Sequence, residues 1–128
     1  MSNEIKILLC FDSNYNFQAE VTMTSLIQNS SVSISFYIIH DNPENFDEMK
    51  SRLLNYDKVN EINIYKFKKR AEVTFPNFDE SHMTEATYYR LFIADYIPND
   101  VREIMYIDPD IICINKFDEL YKRTMDNL

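Results

Sequence analysis

The chain has 128 residues, with 13 Lys+Arg against 21 Asp+Glu, a formal charge of −8, 45% hydrophobic residues, two Cys and no Gly. This length and an ordinary apolar share predict one packed domain and exclude a tandem of domains or a disordered chain. Average usage would give about nine glycines; their absence excludes the dinucleotide fingerprint, the Walker loop, the kinase phosphate loop and the EF-hand, which need Gly where backbone turns with positive φ or approaches phosphate.

A phosphate ligand would therefore be held by side chains, a metal or helix ends without Gly. The acidic balance argues against a nucleic-acid or anionic-membrane surface, which needs a clustered basic face. The one basic run, Lys66, Lys68, Lys69 and Arg70, is short and reads as a solvated loop edge. Cys10 and Cys113 lie in apolar runs without a close pair, which predicts buried, reduced thiols in a cytoplasmic protein. Ile5 to Phe11 is too short for a signal peptide, and no stretch approaches a membrane span.

Ile5 to Phe11 is a near-continuous apolar run ending at Asp12-Ser13-Asn14, the pattern of a strand buried on both faces. From Asn16 to Ser30, Ala19, Met23, Leu26 and Ile27 recur at helical spacing. Val32 to Ile39 reads as a second strand, ending at His40-Asp41-Asn42. Asn42 and Pro43 then suit the cap and first position of a helix that buries Phe46, Met49, Leu53 and Tyr56. Glu61 to Phe67 alternates polar and apolar residues and predicts a strand near a sheet edge. Residues 68 to 82 read as a loop, and Ser81 or Thr84 caps a helix running to Tyr96 whose centre, Tyr88 to Ile93, is apolar almost all round. Two further strands follow, Glu103 to Ile107 and Ile111 to Ile114, separated by Asp108-Pro109-Asp110, and then a polar helix from Lys116.

Alternating β and α units predict an α/β fold, a mostly parallel sheet flanked by helices, and such sheets bind ligands outside the carboxyl ends of their strands. Asp12-Ser13-Asn14 and Asp108-Pro109-Asp110 both fall at such ends.

With eleven Asp in the chain, about one Asp-x-Asp is expected by chance, so the spacing of Asp108 and Asp110 carries nothing alone. Its context does: two carboxylates between apolar runs are costly to desolvate without a cation. In extended backbone i and i+2 point the same way, and hard oxygen ligands suit Mg²⁺ or Mn²⁺ with phosphate oxygens completing the shell. A polar turn between strands fits the same residues. Arg90, inside Tyr88-Tyr89-Arg90-Leu91-Phe92, is either paired with Glu85 or Asp95 and reaching to water, or a clamp on a diphosphate. His40 and His82 lack ligand spacing and read as structural, and Tyr15 either stacks on a base or packs in the core.

Three segments, ILLCFDSNYN, TEATYYRLFIADYIP and MYIDPDIICINKFDELY, resemble in order and spacing the N-terminal half of family 8 glycosyltransferases, and the resemblance covers essentially the whole chain, residues 1–128. It implies a nucleotide-sugar-binding Rossmann-like fold of the glycosyltransferase A type, here truncated, and retaining transfer from a UDP-sugar to a saccharide acceptor. Carried onto this sequence, it gives Asp108 and Asp110 the Mn²⁺ against the donor diphosphate. It gives Asp12, Asn14 and Tyr15 the uridine and ribose, and Arg90 the donor-sugar side and the metal carboxylates. His82 falls near where some relatives meet the acceptor. Members of the family are longer, and their second half supplies a third metal ligand and the acceptor pocket. The alternative is a non-catalytic nucleotide-sugar-binding fragment, or a half-domain that needs a partner chain.

Two other acidic α/β classes fit worse. A receiver domain needs an acidic pair after strand one and an Asp after strand three, whereas Asp12 is followed by Ser13 and the third strand ends in Lys66-Phe67-Lys68. A haloacid-dehalogenase-type phosphatase places its Asp-x-Asp after the first strand. A sheet cut short would also leave apolar surface and an unpaired edge, which predicts a homo-oligomer.

Overall fold

The computed structural model describes residues 4–68 and 93–126. The strands are β1 (Ile5–Phe11), β2 (Ile34–His40), β3 (Val59–Lys66) and β4 (Met105–Tyr106), and the helices are α1 (Asn16–Gln28), α2 (Asp47–Leu54), α3 (Ile93–Tyr96) and α4 (Asp118–Asp126). Short 3-10 turns at Ser13–Tyr15 and Pro43–Phe46 lead into α1 and α2. All three strand pairings are parallel, and the sheet order is β3-β2-β1-β4. The expected parallel α/β fold is thus present.

The period-2 alternation of a strand divides the core. On one face Ile5, Ile7, Leu9 and Phe11 of β1 and Ile34, Phe36 and Ile38 of β2 meet Ala19, Met23, Leu26 and Ile27 of α1, Phe46 and Leu53, and Phe117 and Tyr121. On the other, Leu8, Cys10, Tyr37 and Ile39 pack with Phe67 and with Ile93, Tyr96 and Ile97. Fully burying an aliphatic or Phe side chain contributes roughly 1.5–3 kcal/mol, so the continuous apolar runs of β1 and β2 are explained by their central places. β3 lies at the edge as expected, but its burial does not alternate cleanly: Ile62 and Ile64 pack on the α1 face and Tyr65 packs partly on the other.

Several boundaries move. β2 starts at Ile34 because Ser30 turns the chain, its hydroxyl donating to Val32 O at 2.7 Å. Asn42 precedes the Pro43 turn, but its side chain makes no cap hydrogen bond. Tyr56, expected in the core, is exposed, and Cys113, expected buried, is only half-buried; neither cysteine is in a disulfide. Of the expected strand Glu103–Ile107 only Met105 and Tyr106 pair with β1.

Ile111–Ile114 is not a strand. The backbone groups of Ile111 and Cys113 are taken by short polar side chains on one stripe of α1 and at its C-terminal cap. Thr22 Oγ1 donates to Ile111 O at 2.6 Å, Cys113 N–H donates to Ser25 Oγ at 2.9 Å, and Asn29 Nδ2 donates to Cys113 O at 2.9 Å. Residues 22, 25 and 29 lie at helical spacing beside the apolar stripe, and they fasten the chain after the Asp pair as a ladder partner would.

Of the expected helix capped by Ser81 or Thr84, Ile93–Tyr96 is described; Ser81, His82, Thr84, Tyr88 and Arg90 lie outside the described residues, as do Lys69 and Arg70 of the basic run. Among the described residues no helix is long and apolar enough to cross a membrane.

Candidate functional site

The chain runs from β1 through β2 to β3 on one side of β1 and then returns to place β4 on its other side. The direction of winding therefore switches between β1 and β4. In open parallel sheets this is where a crevice forms at the carboxyl ends of the strands. Two of the segments singled out from the sequence flank that point: Asp12-Ser13-Asn14-Tyr15 leaves β1, and Asp108-Pro109-Asp110 follows β4, held by Ile107 N–H donating to Leu8 O at 2.9 Å.

The turn after β1 is ordered by its own polar groups. Asp12 caps it, Oδ1 accepting Asn14 N–H at 2.9 Å, and Tyr15 N–H donates to Asp12 O at 2.9 Å. Asp12 is half-buried and Asn14 exposed, while Tyr15 packs partly against the core face that carries α1. With Oδ1 engaged, Asp12 Oδ2 keeps acceptor capacity and the exposed Asn14 amide keeps both donor and acceptor capacity, suited to a ligand's hydroxyls or base edge.

Neighbouring strand ends lock this turn. Asp41 Oδ1 accepts both the Ser13 N–H at 3.0 Å and the Ser13 hydroxyl at 2.9 Å. Asn45 Nδ2 donates to Ser13 Oγ at 2.7 Å. Behind them, His40 is fully buried against the edges of Phe11 and Phe46. Asn42 N–H donates to His40 Nδ1 at 2.8 Å, which assigns the ring proton to Nε2, and Nε2 donates to Asn16 Oδ1 at 2.7 Å. Burial pushes this imidazole below its ordinary range, against the opposing pull of the Asp41 and Asp12 carboxylates. Asp41 Oδ1 stands 3.3 Å from Nδ1, yet with Nδ1 already an acceptor the ring is neutral and the contact is no ion pair. Sequence spacing points to none of Ser13, Asn16, Asp41 and Asn45; polar residues at strand ends were the only signal.

Asp108 and Asp110 are exposed, and Pro109-Asp110 forms a turn. The expectation of desolvated carboxylates aligned by extended backbone is therefore corrected, because the pair sits on a solvated turn rather than inside a strand. Among the described residues no three His, Cys, Asp or Glu side chains gather as a metal cage. Two solvated carboxylates nevertheless fit a Mg²⁺ or Mn²⁺ ion that takes its remaining ligands from phosphate and water. Beside Asp110 is an open cleft of about 160 Å³ lined by Phe17, Gln18, Val21, Thr22, Ile111 and Ile112. Small-molecule sites usually enclose roughly 300–1,000 Å³, so this cleft by itself is smaller than such a site. Arg90 lies outside the described residues.

Carboxylates at Asp12, Asp41, Asp108 and Asp110 gather at the strand ends on a chain of net charge −8. A diphosphate brought there meets like charge unless a cation intervenes.

The sheet order and flanking helices define an α/β fold of the glycosyltransferase A type: the galactosyltransferase LgtC, solved in complex with donor and acceptor sugar analogues, superposes with a TM-score of 0.75 at 20% identity over 91% of this chain and 41% of that one. The family model "Glycosyl transferase family 8" matches residues 6–128, and the chain belongs to that family. Lipopolysaccharide 1,3-galactosyltransferase of Salmonella typhimurium is 26% identical over 93% of this chain and 35% of its own length. Lipopolysaccharide glucosyltransferase WaaO of Escherichia coli K12 is 28% identical over 80% of this chain and 30% of its own. Glycosyltransferase GlyD of Streptococcus pneumoniae is 28% identical over 90% of this chain and 14% of its own. The chain thus spans about a third or less of the length of these curated relatives.

Proposed function

We propose that residues 1–128 form the nucleotide-sugar-binding portion of a glycosyltransferase, taking a UDP-sugar donor with Mn²⁺ or Mg²⁺. The observation that carries this reading is the placement of the Asp12–Tyr15 turn and the Asp108–Asp110 turn on either side of the β1/β4 switch point. Family membership and the resemblance to a galactosyltransferase crystallised with donor and acceptor analogues support it.

In this reading Asp108 and Asp110 supply carboxylate oxygens to the metal, which when bound neutralises the donor diphosphate. Asp12 keeps Oδ1 on the Asn14 N–H and offers Oδ2 to a ribose hydroxyl. Asn14 meets the uracil edge or the ribose, Tyr15 borders the base, and Arg90 serves the donor-sugar side. In a complete form the sugar passes, with retention at the anomeric carbon, to a saccharide or lipopolysaccharide-type acceptor. Two cysteines outside any disulfide fit a reducing, cytoplasmic setting.

A second reading is a nucleotide-sugar binder without transfer activity. UDP-sugar hydrolysis and transfer, assayed with Mn²⁺ beside UDP binding, separates the two: turnover marks an enzyme, saturable binding without turnover a binder, and neither removes both readings. Association with a second copy also belongs to the proposal. It is supported by Phe17, Ile112 and Ile114, which are 71%, 65% and 79% exposed. Among the described residues nothing hydrogen-bonds the backbone of Ile112 or Ile114, whose neighbours bond α1.

A further inference from the structure

Six hydrogen bonds, two of them forked from Asn16 Nδ2, run in one direction behind the turn after β1. Asn42 N–H donates to His40 Nδ1, and His40 Nε2–H to Asn16 Oδ1. Asn16 Nδ2 donates to Asn45 Oδ1 at 2.9 Å and to Asn45 O at 3.2 Å. Asn45 Nδ2 donates to Ser13 Oγ, and the Ser13 hydroxyl ends the series on Asp41 Oδ1. Each link fixes the orientation of the next: the His40 tautomer sets which end of the Asn16 amide is oxygen, and the Asn16 nitrogen then sets the Asn45 amide. The carboxylate at the end makes the order irreversible, since it only accepts.

The relay joins the ends of β1 and β2, the start of α1 and the turn before α2, elements separated by 24 to 32 residues in sequence. Its inner members are sealed, His40 at 0% and Asn16 at 8% exposure. A fully satisfied buried network of this kind rigidifies what it touches, and removing a member leaves its partner unsatisfied at a cost. What it touches is Ser13, between Asp12 and Asn14.

We propose that His40 and Asn16 are positioning residues for nucleotide binding, acting through Asn45 and Ser13 to hold Asp12 and Asn14 in the shape that receives a nucleoside. The inference rests on the reading of Asp12 and Asn14 as nucleoside ligands. Neither His40 nor Asn16 touches the ligand. Their effect is transmitted as the fixed geometry of a three-residue turn, so that binding does not first have to order it.

The test uses the whole chain, UDP with Mn²⁺ as probe, and amide hydrogen exchange at Ser13 and Asn14 without ligand. His40→Gln places an amide nitrogen near the Nε2 position and keeps a donor for Asn16; His40→Asn keeps only the acceptor for Asn42. Asn45→Ala breaks the relay at an exposed residue and leaves the core intact. Loss of one such bond corresponds to about 2- to 12-fold in an equilibrium constant. His40→Asn and Asn45→Ala are expected to speed exchange at both amides and weaken UDP within that range, while His40→Gln stays within about twofold of the parent. Unchanged exchange in Asn45→Ala overturns the proposal, as does faster exchange with unaltered UDP affinity. A parent that binds no UDP defeats the functional reading instead, and the exchange data still decide whether the relay holds the turn.

Discussion

Asp41 Oδ1 accepts the backbone N–H and the hydroxyl of Ser13 at once, at 3.0 and 2.9 Å, and so fixes the turn that leaves β1 to the residue that follows β2. Because the carboxylate is exposed, the two bonds together stabilise by about 1 kcal/mol rather than by the larger sum of buried charge-assisted bonds. Asp41→Ala is expected to lose that amount in urea denaturation, and Asp41→Asn most of it to be regained, since an amide oxygen still accepts. An Asn variant as unstable as the Ala variant would contradict this assignment.

At Asp12 the effect is expected in binding. Oδ1 holds the turn; in the proposed site Oδ2 would meet the ligand, so Asp12→Ala would remove a charged acceptor, a loss of roughly 1.5–3 kcal/mol in a partly desolvated site. UDP affinity, measured by calorimetry, is expected to fall about tenfold or more. An Asp12→Ala chain that binds UDP as tightly as its parent takes this residue out of the site.

The buried His40 gives the fold a pH dependence of determined sign. Its folded pKa is lowered from 6.5, so above that value the ring is neutral in both folded and unfolded chains. As pH drops below 6.5 the unfolded chain takes the proton first and stability declines, until the folded pKa is passed. Urea midpoints collected from pH 7.5 to 5 should fall more for the parent than for His40→Gln, which has no proton to take up. Parallel slopes would show that other groups govern the decline.

Exposed Ile112 and Ile114, whose backbone groups have no hydrogen-bond partner among the described residues, predict association between copies. Light scattering at tens of micromolar is expected to report a dimer or larger species, and Ile114→Lys to shift it toward monomer. A clean monomer for the parent would show that this edge is self-sufficient.

The central strands were legible because burial on both faces writes a continuous apolar run: Ile5–Phe11 is β1 residue for residue. The edge position of β3 showed in its alternation, and both Asp turns were placed at strand ends because the apolar runs stop there. Ile111–Ile114 misled, since an apolar run specifies burial or pairing but not the partner, and here Thr22, Ser25 and Asn29 take the backbone of Ile111 and Cys113. The relay from His40 to Asp41 left no trace in spacing, as its members meet only through the parallel pairing of β1 with β2. The solvated state of Asp108 and Asp110 matches the polar-turn reading of the pair and not the desolvated one, a choice that their apolar flanks do not decide.

The most direct measurement is UDP titration of the purified chain in millimolar Mn²⁺ and again with excess chelator, repeated on Asp108→Asn/Asp110→Asn. Carboxylates at four strand-end positions make metal-free diphosphate binding unfavourable. The account predicts saturable UDP binding with Mn²⁺, weakened at least tenfold by the chelator, and an Asn pair that no longer responds to the metal. Equal UDP affinity with Mn²⁺ and with chelator, or a double variant that keeps the full metal effect, would contradict it.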